Sequence, residues 1–203
     1  MRYFYWFVQA LMWPLAWVLI RIFYRMEIKG RENLKNISGP LIIASNHKTL
    51  FDGWLIGIAL PFASRFFPLR FMTEELHFRG AALEFLRKAK LLKFFYFLTG
   101  GFPSYRGEGV EKAIEYPAKL LEKGGTVLMF PEGRLARGDG LGAFYHGTSA
   151  LAIKSGALIL PASIRLSSPK IFVSFGPSFK LNPHTVPEST EYLRSKLSEL
   201  YYA

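Results

Sequence analysis

Leu41-Ile42-Ile43-Ala44-Ser45-Asn46-His47-Lys48-Thr49-Leu50-Phe51-Asp52-Gly53 is the stretch on which the reading of this chain turns. Its opening run is apolar and rich in β-branched residues, and it follows Ser38-Gly39-Pro40. These are the marks of a short buried strand. Behind Asp52, the run Gly53 to Leu60 is apolar and stopped by Pro61, which predicts a short buried helix. Between the two lie an imidazole and a carboxylate separated by four residues. On a continuous helix, residues five positions apart sit about 140° round the axis and cannot meet. His47 and Asp52 can meet if His47 occupies the strand-to-helix turn and Asp52 opens the helix. A carboxylate on one ring nitrogen would fix the tautomer and steady the imidazolium, leaving the other nitrogen to take a proton. Imidazoles titrate near neutrality, which suits a general base. A plainer reading makes Asp52 a helix N-cap and His47 a hydrogen-bonded turn residue.

A second strand-like run, Thr126 to Phe130, leads into Pro131-Glu132-Gly133-Arg134. A third, Ala157 to Ile164, and a fourth, Ile171 to Phe175, follow helix-like Gly147 to Ser155, which should pack Ala150, Leu151 and Ile153. Glu108 to Lys123 reads as helix, but an interior proline costs about 3 kcal/mol, so Pro117 favours two short helices. Glu188 to Tyr201 is an amphipathic closing helix with Leu193, Leu197, Leu200 and Tyr201 inward. Strands alternating with helices predict an α/β fold, a mixed and mostly parallel sheet flanked by helices.

Half of the 203 residues are hydrophobic and 16% are aromatic, and 26 Lys and Arg outweigh 15 Asp and Glu to give a net charge of +11. A basic, aromatic surface suits either nucleic acid or an anionic membrane. No zinc-finger spacing, RNA-recognition signature or arginine-rich arm supports nucleic acid, so none is expected as a partner. The chain has no cysteine, which excludes disulfides, a thiol nucleophile and cysteine metal sites. No Gly-x-Ser-x-Gly elbow occurs, which disfavours a serine hydrolase. His47, His77, His146 and His184 lack metal-ligand spacing, so no metal site is expected; the last three read as turn or surface residues.

Tyr3 to Ile20 is eighteen residues without a charge, bracketed by Arg2 and Arg21. As one helix it would reach about 27 Å, marginal for a hydrocarbon core of about 30 Å. Pro14 should kink or split it. Tyr3, Tyr5, Trp6, Trp13 and Trp17 are types that favour the headgroup level. No small-residue cleavage site follows, which argues against a cleaved signal peptide. A membrane-embedded helical hairpin leads the readings, ahead of a single span and a buried core helix. From Leu60 to Leu98, Arg65, Arg70, Arg79, Arg87, Lys88, Lys90 and Lys93 interleave with Phe66, Phe67, Phe71, Phe78, Phe94, Phe95 and Phe97. On a helical wheel Leu83 to Leu98 shows no clean polar face, so no simple amphipathic helix is assigned there. The segment reads as a surface for anionic headgroups or an acyl-carrier donor, against a solvated charged face.

His-x4-Asp behind a strand, followed by Phe-Pro-Glu-Gly with Arg134, resembles the glycerophospholipid acyltransferase family, which includes the lysophosphatidic acid acyltransferases. The likeness runs from about Met26 to Phe175 and takes in Gly30-Arg31-Glu32-Asn33. Together with the apolar N-terminal run, it divides the chain into a membrane-associated helical segment over 1–26 and an acyltransferase domain over 27–203. It also implies acyl transfer from acyl-CoA or acyl carrier protein, with no other cofactor, to the free hydroxyl of a lysophospholipid acceptor at the cytoplasmic face of the cell membrane. Phosphatidic acid formation from lysophosphatidic acid is the leading expectation. His47 and Asp52 would be catalytic. Arg106, in Gly100-Gly101-Phe102-Pro103-Ser104-Tyr105-Arg106-Gly107, matches the family's phosphate-binding arginine, since a guanidinium forks two bonds onto phosphate; taken alone it reads equally as a surface arginine. Glu132, Gly133 and Arg134 would serve the acceptor, Glu132 through a glycerol hydroxyl. Asn46 and turn amides are oxyanion candidates, with Thr49 supporting the turn. Two departures stand out. Arg134 follows Gly133 with no Thr or Ser between, and Tyr145 lies near the position where the family often has lysine. The shorter form, with Phe144-Tyr145-His146-Gly147 and Ala152 to Ala157 downstream, looks more like 2-acyl-glycerophosphoethanolamine acyltransferase domains, and the missing lysine removes a cation that would favour the phosphomonoester of lysophosphatidate. A silent lipid-binding module is the reading from another class.

Overall fold

The computed structural model describes residues 2–73, 85, 90–105, 108–136, 138, 140–181 and 185–203. Arg106 and much of the expected basic-aromatic surface, including Phe78, Arg79, Arg87 and Lys88, lie outside them.

Helix α1 (Arg2–Phe23) leads into β1 (Arg25–Lys29) and a 3-10 turn (Arg31–Leu34). The boundary expected between residues 26 and 27 thus falls inside β1. Strand β2 (Leu41–Ser45), helix α2 (Asp52–Ala59) and strand β3 (Leu69–Thr73) follow. Then come α3 (Leu91–Thr99), β4 (Gly101–Pro103), α4 (Val110–Glu122) and β5 (Thr126–Met129). The chain closes with α5 (Gly147–Ser155), β6 (Leu158–Ser167), β7 (Lys170–Phe175) and α6 (Val186–Tyr202). Thr185 and Glu188 form a capping box that starts α6.

Seven strands make one sheet in the order β1-β7-β6-β2-β5-β3-β4. Every neighbouring pair is parallel except β6 and β7. The central strand alternates cleanly. Leu41 and Ile43 pack with Leu55, Ile56 and Leu60 of the α2 side, while Ile42 and Ala44 pack with Ile114 and Leu121 of α4 and Leu151 of α5. Both faces are therefore covered, which is why β2 reads as an unbroken apolar run. Cutting a fully buried isoleucine here back to alanine costs about 2–5 kcal/mol. The mostly parallel α/β architecture expected from the pattern is the observed one.

Two local expectations need correction. First, α1 is a single helix running through Pro14, not a hairpin. Trp13 and Ile20 pack on the core from either side of the proline, so the domain holds both halves in line. Gln9 bonds the Leu69 and Thr99 carbonyls, each at 2.7 Å, and accepts from the Leu69 amide at 2.8 Å. The Trp13 indole donates to the Gly57 carbonyl. The opposite side stays open, with Phe7, Leu11, Leu15, Leu19 and Ile22 all exposed. Only Tyr5 of α1 is buried, so α1 is not a core helix either. Among the described residues it is the one helix long and apolar enough to cross a membrane. Second, α4 continues through Pro117, whose ring is buried beside Ile114, Ala118 and Leu121. Packing against the sheet outweighs the missing hydrogen bond. Residues 91–99, which show no clean polar face in the sequence, form helix α3 with Leu91, Phe94 and Phe97 exposed. Smaller differences concern burial: Ile153, Leu200 and Tyr201 are only half-buried.

Candidate active site

Strand β2 ends at Ser45 and α2 begins at Asp52, so Asn46 to Phe51 form a turn at the carboxyl edge of the sheet. The turn folds His47 back onto Asp52, with Nδ1 and Oδ2 2.9 Å apart. Asp52 is fully buried and His47 keeps 20% of its side chain exposed. The same Oδ2 accepts from the backbone amides of Lys48 and Thr49, the latter at 2.8 Å. Oδ1 accepts from the Thr49 hydroxyl at 2.7 Å. Asp52 is thus no ordinary cap: its carboxylate points back at the turn, and the N-cap position of α2 belongs to Phe51. With an ionised carboxylate as acceptor, Nδ1 carries the proton and Nε2 keeps its lone pair, an assignment made from the network. The Phe130 ring stacks on the imidazole at 4.0 Å between centroids and 11° between planes. That contact fixes the ring's second axis.

The imidazole opens onto a cleft with about 120 Å³ of interior space. Its walls come from four strand ends: the His47 turn, Phe71 to Thr73 of β3, Ser104 beyond β4, and Phe130 with Gly133 to Leu135 beyond β5. Open parallel sheets place their ligand crevices at this edge. Trp54, Phe71, Met129 and Leu135 make most of the lining apolar, while Arg134 is an exposed cation at its side. Tyr96 of α3 also lines it. Burial pushes that phenol above its usual range, so it stands in the cleft as a neutral group. Trp54, Gly53 and Phe71 also border a smaller apolar cavity of about 40 Å³ beneath Gln9 and Trp13.

The other expected site residues fare differently. Gly133 and Arg134 line the cleft beside His47. Gly133 has φ of 60°, and a Cβ there would come within 3.0 Å of the Tyr145 ring, so both backbone and neighbour require glycine. Thr49 supports the turn through Asp52. Asn46 cannot serve an oxyanion: it is fully buried, donates to the Ile164 carbonyl at 2.9 Å and accepts from the Ile164 amide at 2.7 Å. It ties the end of β2 to β6 instead. The amides of His47, Lys48 and Thr49 are committed to Glu132 and Asp52, so they are not oxyanion donors either. Glu132 is 1% exposed, and its two oxygens accept from the backbone amides of His47 and Gly142, each at 2.8 Å. It makes these contacts in place of facing the cleft as a ligand for a glycerol hydroxyl.

The Acyltransferase family model matches residues 25–165, from β1 well into β6. The chain belongs to the acyltransferase family. The chloroplastic 1-acyl-sn-glycerol-3-phosphate acyltransferase of Arabidopsis thaliana is 27% identical over 155 residues, covering 73% of this chain and 38% of that protein. The corresponding protein of Brassica napus is 26% identical over 152 residues, covering 73% of this chain and 40% of that protein. The chain therefore spans about two fifths of the length of these relatives. The crystal structure of the 1-acyl-sn-glycerophosphate acyltransferase PlsC from Thermotoga maritima matches with a TM-score of 0.63 at 18% identity. That match covers 95% of this chain and 78% of the other, and it establishes a shared fold.

Among the parts of this acyltransferase-family site that the sequence did not mark is Phe130, the lid on the imidazole. Its place at the head of Phe-Pro-Glu-Gly was a usable signal. Trp54, two residues past Asp52, could also have been marked. Tyr96 and Thr73 carry no local signal. Their place in the cleft follows from β3 and α3 packing beside β5 and β4.

Proposed function

We propose that this chain transfers a fatty acyl group from an acyl thioester, acyl-CoA or acyl carrier protein, to the free glycerol hydroxyl of lysophosphatidic acid, giving phosphatidic acid. The observation that carries this reading is the His47–Asp52 pair at the mouth of an apolar-walled cleft. Nε2 of His47 takes the hydroxyl proton as the oxygen attacks the thioester carbonyl. The carbon–sulfur bond then breaks, and the imidazolium returns the proton to the leaving thiolate. Asp52 stabilises the imidazolium in between. The apolar lining suits an acyl chain, and Arg134 suits the acceptor's phosphate; Arg106 is assigned the same role from its motif. The relatives' printed names as 1-acyl-sn-glycerol-3-phosphate acyltransferases support this acceptor. This chemistry uses no metal and no further cofactor.

The open apolar side of α1 and the outward phenyls of α3 support work at a bilayer. The cytoplasmic face of the cell membrane is the assigned place, since thioester donors are supplied there. Lysophosphatidylethanolamine is the second acceptor to consider, because Tyr145, packed over Gly133, brings a neutral ring where a lysine would add charge.

The test is product formation by the full chain in detergent from labelled palmitoyl-CoA and from palmitoyl carrier protein. Lysophosphatidic acid and lysophosphatidylethanolamine are offered in parallel, and His47→Ala is run beside the native chain. Phosphatidic acid as the main product, lost in the variant, is expected. Vesicle binding without transfer to any acceptor would replace the enzyme with a lipid-binding module.

A further inference from the structure

Two sequence blocks that lie 85 residues apart meet at one buried carboxylate. Glu132 Oε2 accepts the amide hydrogen of His47, and Oε1 accepts that of Gly142. The His47 carbonyl in turn accepts from the Ala136 amide at 2.7 Å. The main chain of the imidazole-bearing residue is thus gripped on both sides by the segment that follows β5. Lys48 adds a third tie by donating to the carbonyls of Gly138 and Gly140. Few residue types could stand at 132. An ionised carboxylate accepts at both oxygens and donates nothing, so it can face two amide hydrogens together. Charge-assisted bonds of this kind are about twice as strong as neutral ones.

We propose that Glu132 is a positioning residue of the reaction: it acts through the backbone of His47 and sets where Nε2 sits, and it does not bind the acceptor. This inference rests on the acyl-transfer reading of the cleft. Asp52 and Phe130 fix the orientation of the imidazole within its turn. Glu132 fixes the turn itself against the wall that carries Gly133, Arg134 and Leu135. Glu132 is therefore the buried, charged member of the ties that keep the base and the acceptor side of the cleft at their spacing.

Glu132→Gln separates the roles because it keeps the shape while turning one of the two acceptors into a donor. One amide hydrogen then meets an N–H group. A displaced base lowers the rate of the chemical step, so kcat should fall about 10- to 100-fold. The KM for the acceptor should stay within about threefold, as expected when only the transition state is affected. The fall should be equal with lysophosphatidic acid and lysophosphatidylethanolamine. Hydrogen–deuterium exchange supplies a readout apart from activity: the peptide containing the His47 amide should exchange faster than in the native chain. If the Gln variant does not fold, Gly142→Pro deletes the second amide hydrogen and should give a smaller fall in kcat with the same unchanged KM. A raised KM with kcat retained, or unchanged exchange at His47, would overturn the proposal. A native chain that makes no product with either acceptor would instead overturn the acyl-transfer reading, which keeps the two failures distinct.

Discussion

Replacing Asp52 by asparagine probes the charge of the pair while leaving its geometry in place. Three N–H groups, from His47, Lys48 and Thr49, converge on Oδ2, whereas Oδ1 meets only the Thr49 hydroxyl. The amide should therefore settle with its oxygen toward the three donors and its nitrogen toward Thr49, whose hydroxyl can turn and accept. Nδ1 then keeps its proton and Nε2 remains the base. What disappears is the negative charge beside the imidazolium. Opposite charges about 4 Å apart at an effective dielectric of about 20 attract by about 4 kcal/mol. The amide dipole restores part of this, leaving a loss of about 3 kcal/mol, or about 150-fold in kcat. The weakened bonds should also cost about 2 kcal/mol of stability, a fall of about 4–8 °C in Tm for a chain of this size. The assay is kcat at saturating donor and acceptor in detergent, with thermal unfolding followed in parallel. A loss near 10,000-fold, the scale seen when such a substitution inverts the tautomer, would refute the argument that the backbone amides orient the side chain. Activity within about threefold of native would refute a catalytic role for the carboxylate.

Asn46→Ala should destabilise without a specific effect on KM, because it orphans the amide and carbonyl of buried Ile164. The expected cost is about 2–4 kcal/mol by chemical denaturation, and a variant as stable as the native chain would remove Asn46 from the strand junction. Leu15→Glu combined with Leu19→Glu places two carboxylates on the open side of α1. Flotation with vesicles containing anionic phospholipid should show much weaker binding while circular dichroism stays native; unchanged flotation would move the bilayer contact elsewhere.

The core of the sheet was legible because β2, β5 and the first half of β6 are short apolar runs that follow glycine or proline. Strand β3 was not, since Arg70 interrupts its run. In the structure that guanidinium is buried against the rings of Tyr5 and Tyr116 and donates to the Gly100 carbonyl, partners scattered along the chain. The pairing of His47 with Asp52 was legible because it is local. The contacts of Asn46 and Glu132 were not, because residue type announces an acceptor or donor without saying which distant backbone group will claim it. Helix α4 shows the same limit from the other side. Proline weakens a helix locally, and only the sheet beneath Pro117 shows why this one continues.

The pairing of β1 with β7 has a bearing on how the protein is made. Arg25 finds its partner only at Lys170, near the far end of the chain. Contacts so far apart in sequence form late and slowly. At about 5–20 residues per second of translation, β1 waits on the order of ten seconds for its neighbour to emerge. For the first half of that interval α1 is outside the ribosome ahead of Leu69 and Thr99, the groups that dock it through Gln9. Any bilayer within reach is met by a nascent chain whose sheet does not yet exist.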